Sequence, residues 1–149
     1  PIVSSPLVST DSVYIGSTDG HMYALEAESG KMIWRYSTET PIVSKGTLEF
    51  TSITVCSENK WVHCIEKYTG VLMWKSKLHS AVMASLTSNA GNLYIANREG
   101  WLQCFSLKNG NLQWQMDCRA RLESPPVVSG KTLYLGTVSG EITAYNLPA

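Results

Sequence analysis

The chain has 149 residues, 12 basic and 12 acidic, so its formal charge is zero; 44% are hydrophobic and 16% charged. That balance implies one folded domain with a real core and excludes a disordered chain. The neutral charge removes the electrostatic footprint of a nucleic-acid or anionic-membrane binder, and no apolar run approaches the roughly 18 residues that span a bilayer.

The first 40 residues read as four short strands. Strand A is expected near residues 2–8, B near 12–17, C near 21–26 and D near 31–36. Each is a short apolar or alternating run, cut from the next by Gly, Asp, Asn and Ser turns such as "STDG" and "ESG". No stretch carries sustained helical periodicity. The same pattern then returns. "VYIGSTDG" (Val13–Gly20) becomes "ITVCSENK" (Ile53–Lys60), "LYIANREG" (Leu93–Gly100) and "LYLGTVSG" (Leu133–Gly140). "GKMIW" (Gly30–Trp34) becomes "GVLMW" (Gly70–Trp74) and "GNLQW" (Gly110–Trp114), always 40 residues apart. Repeats of this length mean a solenoid or a propeller, and four antiparallel strands per repeat select the blade of a β-propeller. The expected fold is all-β: one propeller domain over 1–149, with blades 1–40, 41–80, 81–120 and 121–149. The last blade has sequence for strands A to C only, ending near Asn146.

Glycine and tryptophan have separate physical jobs in this scheme. Gly30, Gly70 and Gly110 close the C–D hairpin, where positive φ is needed. Trp34, Trp74 and Trp114 sit on the outermost strand, an exposed edge. An indole laid across the gap to the next blade buries area there and needs a backbone carbonyl for its N–H. Pro6 and Pro125–Pro126 are placed on strand A, whose inner edge no strand pairs.

With those residues in register, "ALEAESGKMIW" (Ala24–Trp34) resembles the docking motif of pyrroloquinoline-quinone-type (PQQ-like) propeller repeats: a small residue, an acid two later, glycine six later and tryptophan ten later. "CIEKYTGVLMW" (Cys64–Trp74) fits with Glu66 as the acid, and "CFSLKNGNLQW" (Cys104–Trp114) fits with Ser106 in its place. The resemblance implies that each indole packs on the glycine turn of the adjacent blade. It also explains why Ala24, Cys64, Cys104 and Ala144 share one position.

The resemblance also names a cofactor. Quinoprotein dehydrogenases of this type stack the quinone on a disulfide between adjacent cysteines and hold calcium with clustered Glu, Asn and Asp. This chain has Cys56, Cys64, Cys104 and Cys118, none adjacent and none in a CxxC spacing. They read as small buried thiols, which favours a reducing compartment, although the family also has periplasmic and lumenal members. Asp19, Glu58 and Glu99 fall on turns of separate blades. No cofactor, metal site or catalytic residue is expected. His21, His63 and His79 lack metal-ligand spacing, and no GxSxG elbow or phosphate loop occurs.

One surface stands out. Trp61 and Trp101 share a repeat position just after the B–C turn, where the other blades carry His21 and Glu141. Basic residues share that end of the blades: Arg98 in the turn itself, and Arg35, Lys75, Lys77, His79, Arg119 and Arg121 in or beside the D–A connections. Trp61 and Trp101 with Arg98, Lys75 and Arg119 make a candidate recognition patch; the competing reading has both indoles folded onto their own blades. The leading functional expectation is a non-catalytic protein-interaction scaffold. The alternatives are a fragment of a quinoprotein dehydrogenase, or a docking propeller of a larger enzyme such as a β-alanine-activating adenylating enzyme. Because propellers of this family commonly have eight blades, four imply half of a ring, completed by further blades of a longer chain or by self-association. A closed four-bladed ring is the alternative.

Overall fold

A computed structural model describes residues 1–80 and 85–148, and among them there are strands and no helix. The first sheet is an antiparallel meander of β1 (Leu7–Val8), β2 (Ser12–Gly16), β3 (His21–Glu26) and β4 (Met32–Ser37). The second repeats it with β5 (Thr47–Leu48), β6 (Ser52–Ser57), β7 (Trp61–Glu66) and β8 (Leu72–Lys77). The third holds β9 (Ser85–Asn89), β10 (Asn92–Ala96), β11 (Trp101–Ser106) and β12 (Leu112–Asp117). The fourth has three strands, β13 (Val127–Ser129), β14 (Thr132–Gly136) and β15 (Ile142–Asn146). The chain divides into two compact units, Pro1–Ala81 with the first two sheets and Val82–Ala149 with the last two.

Strand A is much shorter than the sequence pattern implies. β1 covers two residues, not 2–8, and β5 likewise. Pro6 has no N–H to give a ladder and lies just before β1, as Pro125–Pro126 lie just before β13. The residues ahead of β1 are tied by other means. Ser4 Oγ donates to the Gly16 carbonyl at 2.7 Å, and the Thr18 N–H donates to the Pro1 carbonyl at 3.0 Å. The same clasp recurs from Glu58 N–H to Pro41 O and from Val138 N–H to Arg121 O. In the third repeat, residues 81–84 of the expected strand A lie outside the described residues.

The C–D turns are built alike. Gly30, Gly70 and Gly110 have φ of 71°, 74° and 73°, and each N–H donates to the residue four earlier, Glu26, Glu66 or Ser106. The B–C turn uses Gly20, Gly100 and Gly140 at positive φ, but the second sheet places Lys60 there at φ 71°, a left-handed conformation that strains a residue with a Cβ.

Each unit has its own core. In the first, Tyr14, Met22, Ala24 and Trp34 of the first sheet pack with Ile53, Val55 and Ile65 of the second, and Ile42 of the connection between them is fully buried. All six residues of β6 are buried. In the second unit Tyr94, Leu102 and Cys104 pack with Leu122, Leu133 and Leu135, and Trp114 and Tyr145 lean on that cluster.

Candidate functional site

The seam between the first two sheets is built around Trp34. Its cross-strand partner is Ala24, and a register shift between Ala24 and Leu25 bulges the strand at that point. Cys64 faces Trp74 and Cys104 faces Trp114 with the same bulge. The small residue thus clears space directly opposite the indole. Trp34 is buried, and its Nε1–H donates to the Lys67 carbonyl at 3.0 Å. The ring lies on the Gly70 turn: a Cβ on Gly70 would come 2.7 Å from Trp34 Cδ2. Trp74 and Trp114 are partly buried, less deeply than Trp34. Trp34 and Trp114 each lean on a tyrosine of their own sheet, Tyr14 and Tyr94, with centroids 6.0 and 6.1 Å apart.

The acid of the motif has a task that sequence reasoning missed. Glu66 Oε2 accepts the N–H groups of Tyr68 (3.1 Å) and Thr69 (2.7 Å) and the Thr69 hydroxyl (2.6 Å). These bonds, the Thr69 hydroxyl foremost, hold its carboxyl below the usual range. Ser29 makes the matching bond to Glu26. The signal was present as "EAESG" and "EKYTG", an acid with Ser or Thr three residues later ahead of glycine.

At the other end of the second sheet lies the candidate recognition face. Trp61 opens β7 opposite Lys77, and His63 stands opposite Lys75. Trp61 is half-buried, while Lys75 and Lys77 are exposed. The Lys75 ammonium lies 5.0 Å from the centroid of the indole and that of Lys77 5.9 Å. The structure therefore brings Trp61 and Lys75 together and adds Lys77. Trp101, Arg98 and Arg119 belong to the other unit. There Trp101 is half-buried, and Arg98 is held by Glu123 (Nε–Oε1 3.5 Å), which Arg121 also engages at 3.0 Å. Arg119 is exposed at φ 51°, its N–H donated to Asp117 Oδ1.

Behind the Trp61 face, His63 is buried with Ser57 Oγ 3.0 Å from Nε2 and Tyr36 Oη 3.1 Å from Nδ1. Burial first, and the Lys75 ammonium second, hold its pKa down to about 4. A serine beside a histidine with a third group behind it has the outline of a nucleophile, base and orienter. Here Ser57 is fully buried and donates its hydroxyl hydrogen bond to Asn59 Oδ1 at 2.6 Å, not toward the His63 ring.

The thiols are equally enclosed. All four cysteines are free; Cys56, Cys64 and Cys104 are buried and Cys118 half-buried. Burial pushes the Cys56 thiol far up and Cys104 to about 11, so both stay protonated and poorly nucleophilic near neutrality. Asp19 is committed to the Tyr23 hydroxyl at 2.6 Å. Among the described residues no three His, Cys, Asp or Glu converge as a metal-binding set.

The sequence matches the family described as outer membrane protein assembly factor BamB over residues 1–58 and 58–148. The chain belongs to this PQQ-like propeller family. BamB from Moraxella catarrhalis superposes on 98% of the chain at a TM-score of 0.82 with 16% identity, and the match takes in 47% of that protein. The computationally designed Ika8 protein gives 0.87 at 12% identity over 98% of this chain and 46% of its own. The designed Ika4 protein gives 0.88 at 12% identity, over 99% of this chain and 92% of its own. The PQQ-like chain thus spans about half the length of BamB and nearly all of Ika4. No curated protein matches the sequence. These likenesses show the β-propeller fold. The four cysteines are separate in sequence, and Cys56 and Cys64 pair with Val62 and Thr54 across their strands.

Proposed function

We propose that the chain is a non-catalytic protein-interaction module, and that the Trp61–Lys75–Lys77 face of the second sheet is a binding surface. The observation that carries this reading is the half-buried indole with two ammonium groups over it. It offers an indole, a residue type enriched at interaction hot spots, with positive charge beside it. BamB is by its description an assembly factor, which supports a role in contacting other proteins. Four repeats amount to about half of BamB, so the reading includes a partner of a particular kind: further blades of a longer chain, or a second copy.

The test compares co-purification by the tagged wild type, by Trp61→Ala and by the double variant Lys75→Glu/Lys77→Glu. A partner retained by the wild type and lost by both variants, with folding unchanged, is the expected outcome. Partners retained equally by all three would remove this face from the function.

A further inference from the structure

The hydrogen bonds around His63 have one direction. Ser57 Oγ lies within reach of two acceptors, Asn59 Oδ1 at 2.6 Å and the Trp61 carbonyl at 3.3 Å, so its proton is given away. The Ser57 oxygen then accepts from His63 Nε2 at 3.0 Å, which fixes the ring proton on Nε2. Nδ1 is left as an acceptor, and the Tyr36 hydroxyl of β4 donates to it at 3.1 Å. The relay runs from Tyr36 through His63 and Ser57 to Asn59, from the first sheet into the second. The Asn59 N–H returns to the connection between the sheets, donating to Thr40 Oγ1 at 3.2 Å.

Protonation breaks that order. An imidazolium donates from both nitrogens, so the new Nδ1–H meets a hydroxyl whose own proton points at it. Tyr36 must turn away, and the ring, 4% exposed, gains a charge almost without water. The groups facing the ring give no relief. On β8, Lys75 stands opposite His63 in the ladder and repels the charge, with Lys77 beyond it over Trp61. On β4, Tyr36 stays neutral, its phenol pushed up by burial and by Glu39. Ser57 and Asn59 carry no charge.

We propose that His63 is an acid-sensitive catch between the first two sheets: neutral, it ties β4 to β7 through Tyr36, and protonated, it releases that tie. With the ring titrating near pH 4, below the ordinary 6.5, the catch holds through neutral and mildly acid conditions and opens only in strong acid. A module with such a seam keeps its outer face rigid until the pH falls that far.

The test is an NMR titration of the His63 ring, followed in parallel by exchange protection of the Asn59 amide. In the wild type both are expected to change together with a midpoint near pH 4. Tyr36→Phe removes the donor that favours the neutral ring, so the His63 midpoint is expected to rise, while burial and the Lys75 ammonium keep it below 6.5. His63→Gln keeps a donor toward Ser57 but cannot titrate, so its Asn59 protection is expected to stay flat between pH 6.5 and 4. A wild-type midpoint near 6.5, a Tyr36→Phe midpoint that does not move, or the same acid loss in His63→Gln as in wild type would each overturn the catch. If His63→Gln fails to fold, the wild-type and Tyr36→Phe titrations decide alone.

Discussion

Replacing Trp34 by alanine removes the side chain that joins the first two sheets. The indole is 8% exposed. A tryptophan buries on the order of 150–250 Å², and at about 25 cal/mol per Å² that is about 4–6 kcal/mol as an upper bound. Truncations of buried tryptophan cost about 3–5 kcal/mol, because the site relaxes only in part. The Lys67 carbonyl also loses its donor, but it lies in a part-buried turn that water reaches once the indole is gone, so that loss adds about 1 kcal/mol. The expected total is about 3–5 kcal/mol, a large part of the roughly 5–15 kcal/mol that holds a domain folded. Denaturant unfolding followed by circular dichroism reads it, as does a melting temperature lowered by roughly 6–20 °C. Trp34→Phe, which keeps most of the area and loses the N–H, is expected to cost about 1 kcal/mol. Trp114→Ala, at a half-buried ring, is expected to cost about half of Trp34→Ala. If Trp34→Ala melts within a degree or two of wild type, the indole does not dock the sheets and the reasoning fails.

Stability is expected to fall in acid through His63. Its ordinary pKa is 6.5 and its folded value about 4, so as pH falls the unfolded chain takes up the proton first. The neutral ring's contribution is intact above 6.5 and drains away between 6.5 and 4, by about 3 kcal/mol in all; His63→Gln melts across that range should lack this share. Lys60→Gly is expected to stabilise by about 0.5–1 kcal/mol, since relief of left-handed strain outweighs the added freedom of the unfolded chain, and a lower melting temperature would contradict it. Calorimetric titration of pyrroloquinoline quinone with calcium is expected to give no saturable heat, and a dissociation constant in the micromolar range or tighter would overturn the non-catalytic reading. Light scattering is expected to show self-association if a second copy completes the repeats, whereas a clean monomer that unfolds cooperatively at micromolar concentration would remove that form of the proposal.

The repeat made most of the fold legible. Glycine and tryptophan held 40 residues apart locate the C–D turn and the outer strand in the first three sheets, and the residue opposite the indole reads as small because it must be. Strand A misled because apolar alternation over 2–8 looks like a strand, while pairing depends on N–H groups that proline lacks and on side-chain ties such as Ser4 to Gly16. The three indoles looked equivalent in sequence, but an indole's burial depends on its seat, and Trp34 is buried more deeply than Trp74 or Trp114. The His63 relay was not legible. Tyr36 and His63 are 27 residues apart and meet only because adjacent sheets place β4 beside β7. Lys77 was read among the basic residues of its connection, and the cross-strand pairing of Trp61 with Lys77 is what sets its ammonium over the ring.

A photo-crosslinking amino acid at position 77 tests the central claim most directly, in the chain returned to an extract of its cell of origin. Position 31, an exposed lysine on a C–D turn, serves as the control. The account predicts a discrete protein adduct from position 77 that is absent from position 31 and disappears when Trp61→Ala is added. Equal labelling from both positions, or an adduct from position 77 that survives Trp61→Ala, would contradict it.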